Sequence, residues 1–376
     1  MNYYPIVSVT GPRQAGKTTL LRFLFPHYDY VSLENINNRQ LAESDPIGFL
    51  DRYSEKVIFD EAQRVPDLFS YLQTLVDEQQ EMGQFILSGS QNFLLRKNIT
   101  QSLAGRVGIV RLMPFSEKEL QLQNVPRPSL DECIFNGYYP SIYDRQISPF
   151  VFYPNYLETY VQRDVQDLIH ARNITSFQRF MRLCAGHVGQ TIVYSQLANS
   201  VGVSTETIRN WLSILEQSYI IFQLQPFYRN FNKRQIKSAK LYFYDTGLLC
   251  SLLRMRTSAN LQDYYQRGAI FENFVIADIF KMVHHRGERP HFYFWRDNNQ
   301  NEADLLWEVA NQIHILEIKS TKTLKPNHFK NLVKFKNWIP DNEVHLHLVY
   351  GGSEQMNSNG VSVWSWQHLV ELLDVV

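Results

Sequence analysis

Gly11-Pro12-Arg13-Gln14-Ala15-Gly16-Lys17-Thr18, with Thr19 after it, is the stretch from which this chain is read. It matches G-x-x-x-x-G-K-[ST], the pattern of a loop that wraps phosphate groups. An apolar run, Ile6-Val7-Ser8-Val9-Thr10, precedes it, and a helix-like run from Thr19 to Leu24 comes after it. The glycines let backbone N–H groups curl around a phosphate, and the helix N-terminus adds partial positive charge. Lys17 would reach β- and γ-phosphates, and Thr18 would offer its hydroxyl to Mg²⁺. Residues 11–19 are therefore the expected nucleotide-binding segment.

Working outward, Val57-Ile58-Phe59-Asp60-Glu61 is an apolar strand that ends in two carboxylates. Asp60 is expected to hold Mg²⁺ with Thr18, and Glu61 to orient and activate the attacking water. A further strand, Phe85-Ile86-Leu87-Ser88, runs into Gly89-Ser90-Gln91-Asn92. Ser90 is the candidate contact to the γ-phosphate or the water, although a Ser-Gly pair is first of all a turn. Strands at Ile6–Thr10, Lys56–Phe59 and Gln84–Ser88 alternate with helices at Lys17–Phe25 and Leu68–Gln79, which predicts a parallel α/β sheet.

These stretches, together with Ser102-Leu103-Ala104-Gly105-Arg106, resemble prokaryotic AAA-like P-loop ATPases, in particular a group with a C-terminal region of unknown function. The resemblance continues through residues 156–164, Tyr242–Gly247 and Phe271–Phe274, nearly the whole chain. It implies ATP and Mg²⁺ as cofactors. It also implies a homo-oligomer, a ring being one arrangement, whose ATP site is completed by an arginine from the neighbouring subunit. Arg106 and Arg163 suit that role by position; a local salt bridge is the alternative for either.

The length, 376 residues, suggests two to three domains. With 44% hydrophobic and 20% charged residues, a disordered or collagen-like chain is excluded. Apolar stretches are far shorter than the ~18–20 residues of a membrane span. Met1-Asn2-Tyr3-Tyr4-Pro5 is not of signal-peptide type. Cys133, Cys184 and Cys250 form no CxxC pair and read as reduced packing thiols, so a cytoplasmic location is expected.

A net charge of zero hides an asymmetry. Residues 170–256 hold 11 Lys/Arg against 3 Asp/Glu, whereas residues 1–169 hold 15 against 20. A basic middle is the footprint of phosphate-backbone contact, or of a segment neutralised by its own acidic neighbours. Within it, residues 194–213 read as a helix-turn-helix. Leu197, Ala198 and Val201 form an inner face, Gly202 the turn, Ser204 a cap, and Ile208, Trp211, Leu212 and Leu215 the buried stripe. The alternation at Tyr219–Gln225 suggests a winged helix. Arg209 and Asn210 would read base edges, although Glu206 opposes phosphate. Arg229, Lys233 and Arg234, interleaved with Tyr228 and Phe231 and followed by Lys237 and Lys240, suit phosphate contact with base stacking. DNA is thus the expected partner; a protein-docking spacer is the alternative.

Near the C-terminus, Asp304 lies in one strand-like run and Glu317 with Lys319 in the next, consistent with a hairpin. Residues two apart on a strand share a face. With Glu272 on an upstream helix, the set resembles the PD-(D/E)xK nuclease core, a helix, three strands, a helix and a strand. Asp304 and Glu317 would bind Mg²⁺, Lys319 would position or help deprotonate water, and Glu272 would add a ligand. A solvated charged face is the alternative. His284-His285 and His345/His347 lack partners at zinc-like spacing.

The expected organisation is an AAA-like ATPase domain at 1–125, a helical linker or lid at 126–173, a winged-helix domain at 174–256 and a restriction-endonuclease-like α/β domain at 257–376. The expected function is an ATPase that couples nucleotide state to DNA engagement, with metal-dependent cleavage by the C-terminal domain. The alternative is a nucleotide-dependent switch whose nuclease-like domain is inactive.

Overall fold

The computed structural model describes residues 3–89, 102–122, 128–165, 168–169, 173–227, 238–296, 301–338 and 343–374. The chain divides into two compact units. The first is Met1–Pro114 with two short later segments, and the second holds most of the chain from Phe115 to the C-terminus.

In the first unit β1 (Ile6–Thr10), β2 (Asp29–Ser32), β3 (Val57–Asp60), β4 (Phe85–Gly89) and β5 (Val107–Arg111) form a wholly parallel sheet, ordered β2-β3-β4-β1-β5. β1, β3 and β4 are buried along their whole length, which is why their sequences are continuous rather than alternating apolar runs. Phe49, Phe59 and Phe85 pack in one core cluster, and Val7, Val9, Ile58 and Ile86 in another. The helix Leu68–Gln79 has the bounds its periodicity predicts and buries Leu68, Leu72 and Val76 at four-residue spacing. Because all strands are parallel and β4 alone separates β1 from β3, the loop after β1 and the carboxylate ending β3 lie at the same, C-terminal end of the strands.

The second unit opens with a run of helices, Pro149–Tyr160 and Ile174–Gly186 among them, and then the two helices Tyr194–Val201 and Thr205–Gln217. Gly202 between them has φ 84°, a turn that a side chain would strain. Ser204 caps the second helix by accepting from the Thr207 N–H at 3.0 Å. Trp211 packs edge-on against Phe177, with ring centroids 5.3 Å apart.

Beyond these helices lies an eight-stranded mixed sheet: β6 (Ile221–Pro226), β7 (Lys240–Phe243), β8 (Phe292–Arg296), β9 (Glu302–Val309), β10 (Gln312–Lys319), β11 (Glu343–Tyr350), β12 (Met356–Ser358) and β13 (Val361–Ser365), ordered β12-β13-β11-β10-β9-β8-β6-β7. β6 and β7 pair antiparallel, as a wing would, yet β6 also pairs parallel with β8. The strands after the helix-turn-helix are therefore the edge of the C-terminal sheet. The helix Arg267–His285, strands β8–β10, the helix Asn327–Trp338 and β11 come in the order expected from sequence. The β12–β13 hairpin is an addition.

Residues 242–247 and 271–274 meet in this unit. Asn273 clips Phe243 from both sides, accepting from its N–H at 2.7 Å and donating to its C=O at 2.9 Å. Asp245 caps the helix Thr246–Leu252 and also accepts from the Tyr138 N–H at 2.7 Å. No helix among the described residues is long and apolar enough to cross a membrane. All three cysteines are buried and unbridged.

Candidate functional site

The phosphate loop leaves β1 through Gly11, where a Cβ would sit 1.9 Å from the Leu112 carbonyl oxygen, so only glycine fits. Gly16, at φ 91°, turns the chain into the helix Lys17–Leu24. The Lys17 ammonium is buried and donates to the carbonyls of Gly11 (2.9 Å) and Pro12 (2.7 Å). The Thr18 hydroxyl donates to Asp60 Oδ2 at 3.1 Å, and Ser88 donates to the other oxygen. Strand pairing brings these together: Asp60 lies opposite Ser88 in the β3–β4 register. Tyr30, on β2, also donates to Asp60 Oδ2, at 2.5 Å. Burial and this carboxylate push the Tyr30 hydroxyl's pKa up, so it stays a neutral donor. Glu61 holds a left-handed backbone, φ 55°, and accepts from Gln63 Nε2 at 2.5 Å. Hydroxyl and carboxylate oxygens beside a buried lysine are the donor set that Mg²⁺ and a polyphosphate require.

The second unit gathers four carboxylates. Asp304 on β9 accepts from the Ile318 N–H at 2.7 Å, and Glu317 on β10 pairs with Lys319. Glu272, on the helix Arg267–His285, is 3.1 Å from Lys240 Nζ and accepts from Tyr242. Glu302 also pairs with Lys240. Burial, then the charges of Glu317 and Glu272, hold the Asp304 carboxyl well above the usual carboxylate range. Burial raises Glu317 too, against the pull of Lys319. Burial pulls Lys319 down, but the Asp304 and Glu317 charges outweigh it and keep the ammonium above its ordinary value. One oxygen of Glu317, Oε2, is buried with no hydrogen-bond partner. Oxygen donors of this kind suit a hard cation. Among the described residues no three or more His, Cys, Asp or Glu side chains form a metal cage, so any ion here would keep several waters.

The structure thus places Lys17, Thr18 and Asp60 together, and Glu272, Asp304, Glu317 and Lys319 together. Ser90, Arg229, Lys233 and Arg234 lie outside the described residues. Arg106 is held doubly by Asp77, at 2.6 and 2.7 Å. Arg163 belongs to the π-helical turn Val161–Val165. Arg209 lies over the Tyr194 ring, 4.3 Å from its centroid, and Asn210 is exposed. Lys240 is a correction. Read from sequence as part of a phosphate-facing run, it is buried and committed to Glu272 and Glu302, because β7 carries it inward. Sequence reasoning also missed Tyr30, which sits outside every motif. Its signal was available only through the β2–β3 pairing, which sets Ser32 opposite Asp60.

Residues 3–121 match a model described as an AAA domain, and residues 127–259 and 267–369 each match a domain of unknown function. Uncharacterized proteins of Mycobacterium tuberculosis and Mycobacterium bovis are each 32% identical over 85% of this chain and 71% of their own length. An uncharacterized protein of Methanocaldococcus jannaschii is 24% identical over 97% of this chain and 86% of its own. Among solved structures, a Walker-type ATPase of Pyrococcus abyssi superposes with TM-score 0.43 and 16% identity, over 67% of this chain and 91% of that one.

Proposed function

Since this chain belongs to the same family as the two mycobacterial proteins and carries an AAA domain, we propose that it is a Mg-ATP-hydrolysing ATPase whose nucleotide state governs DNA engagement by the second unit. The observation that carries the reading is the Thr18–Asp60 hydrogen bond beside buried Lys17. On this reading Lys17 exchanges the Gly11 and Pro12 carbonyls for β- and γ-phosphate oxygens. Thr18 and Asp60 would hold magnesium, whose charge would offset that of the phosphates. Glu61, fixed by Gln63 and its backbone turn, orients the attacking water. An arginine in trans, within a homo-oligomer, would complete the site; Arg106 would first have to release Asp77.

The second unit would cleave phosphodiesters at Asp304, Glu317 and Lys319. Asp304 and Glu317 would hold a divalent ion that stabilises charge on the phosphate. Lys319, kept protonated by its neighbours, would orient water and phosphate rather than remove a proton. Glu272 is proposed to shape the acidic side of the site. Arg209, Asn210, Arg229, Lys233 and Arg234 would contact DNA. A second reading, a regulator with an inactive nuclease-like fold, is favoured by the pairing of Glu272 and Glu302 with Lys240, which already satisfies half of the carboxylates.

The test incubates the protein with duplex, single-stranded and branched DNA, in Mg²⁺ or Mn²⁺, with ATP or a slow analogue. Wild type should cleave at least one substrate, and Asp304→Ala or Lys319→Ala should lose orders of magnitude in rate. Equal inertness of all three with normal ATP turnover gives the regulator reading. Alanine at Arg229, Lys233 and Arg234 together should weaken DNA binding and flatten its salt dependence in fluorescence anisotropy.

A further inference from the structure

Lys240 stands among carboxylates although no motif announces it. Its residue is 3% exposed; its ammonium is 3.1 Å from Glu272 Oε1 and pairs with Glu302 as well. It also lies 5.6 Å from the centroid of the Phe294 ring. Antiparallel pairing of β7 with β6 fixes it opposite Leu224, and Thr191 bridges to it from the other side. Around it, Glu272 accepts from Tyr242, and Glu302 lies 3.7 Å from the guanidinium of Arg296.

The four acids therefore divide. Glu272 and Glu302 are held to each other by one ammonium. Asp304 accepts from a backbone N–H, and Glu317 has one oxygen on Lys319 and one buried without a partner. Four carboxylates could serve two divalent ions ~3.5–4 Å apart, as two-metal hydrolases use them. A lysine ammonium is a compact point charge with three donors, able to hold two carboxylates in a fixed relation without exchanging with solvent. Leaving the half-buried Glu272 and Glu302 without it would be unfavourable, because their two negative charges would stay uncompensated.

We propose that Lys240 is a built-in cation standing in place of a second metal ion, so that the site takes a single divalent ion between Asp304 and Glu317. Glu272 then serves Lys240 and is a positioning residue, not a ligand. The proposal rests on the metal-site reading of the acidic cluster and names how many ions it holds. It also accounts for the lack of a three-acid cage among the described residues: the lysines sort the acids into pairs.

The test titrates Mn²⁺ into the nucleotide-free full chain and follows it by electron paramagnetic resonance, with folding monitored by circular dichroism. Wild type should take one isolated ion at this site, lost in Asp304→Ala. Lys240→Met, which keeps an unbranched side chain of nearly the same length and removes its charge, should take two ions with the broadened signal of a spin-coupled pair. Lys240→Arg should remain at one. Lys240→Met combined with Glu272→Gln, which removes one charge of each sign, should return to one. Glu272→Gln alone, a mild change to the fold, should keep its ion. A spin-coupled pair in wild type, one unchanged ion in folded Lys240→Met, or loss of the ion in Glu272→Gln would each overturn the role given to Lys240. Wild type and Asp304→Ala binding identically would overturn the metal-site reading itself, and the proposal with it.

Discussion

Asp60 and Asp304 are both buried aspartates at the heart of candidate sites, and their surroundings differ in kind. Asp60 is held by neutral hydroxyls from Thr18, Tyr30 and Ser88. Asp304 sits among charges of both signs: burial first, then Glu317 and Glu272, push its pKa up, and Lys240 and Lys319 pull it down less strongly. Hydroxyl donors stabilise a carboxylate at no electrostatic cost to the fold, whereas stacked acids store repulsion until a cation relieves it. The first arrangement is stable in itself; the second costs stability unless a cation sits among the acids.

Replacing each aspartate by asparagine sharpens that contrast. Asp60→Asn should cut ATP turnover by orders of magnitude, measured by phosphate release, and lower the melting temperature, because three hydroxyls lose a charged acceptor. Asp304→Asn should leave ATP turnover unchanged and stabilise the metal-free protein by about 1–3 kcal/mol at pH 7. The sign comes from linkage. A carboxyl with a raised folded pKa contributes full stability below its unfolded value and loses it as pH rises. The asparagine's advantage should therefore vanish near pH 4 in thermal melts and grow upward from there. An Asp304→Asn protein that melts lower than wild type at pH 7 would break the comparison.

The second unit also buries neutral groups. Trp364 donates to His347 Nδ1 at 3.3 Å, so His347 Nε2 carries the proton it shares with His314 Nδ1, 3.1 Å away. Burial, then neighbouring histidines, hold His347 down to about 3 and His314 to about 4. Both folded values lie below the unfolded one near 6.5, so their contribution is full above that pH and is lost on acidification toward 4 and 3. His347→Gln should flatten this acid limb by the order of a kcal/mol or more in urea titrations between pH 6.5 and 4.5. An unchanged slope would mean that the histidine pair is not linked to folding.

The smallest expected effect is at Tyr30. Tyr30→Phe removes one donor from Asp60 and leaves Thr18 and Ser88 in place. A hydrogen bond to a charged group is worth at most about 1.5–3 kcal/mol, and water entering beside Asp60 restores most of it. The Mg²⁺ concentration needed for half-maximal ATP turnover should shift several-fold, while the maximal rate changes little. A fall in maximal rate with no shift in Mg²⁺ dependence would place Tyr30 elsewhere in the reaction.

The same contrast explains which features the sequence announces. The phosphate loop and the Asp60–Glu61 pair are contiguous, because one loop and one strand end supply them, and the helix Leu68–Gln79 carries its period openly. Asp304, Glu317 and Lys319 were legible because a hairpin keeps them close in sequence. Lys240 and Glu302 were not. Their meeting depends on β6 and β7 joining the C-terminal sheet, a pairing that short apolar runs do not announce. The β12–β13 hairpin was missed for a like reason: Met356–Ser358 is three residues with no alternation to detect. Tyr30 required knowing which strand lies beside β3.

The central claim is that the first unit turns over Mg-ATP through Lys17 and Glu61. Radiolabelled ATP binding and phosphate release, measured together on wild type, Lys17→Ala and Glu61→Gln, address it directly. Lys17→Ala should lose binding and turnover alike. Glu61→Gln should bind ATP as wild type does while hydrolysing it at least roughly a hundredfold more slowly. Hydrolysis at the wild-type rate in both variants would contradict the account.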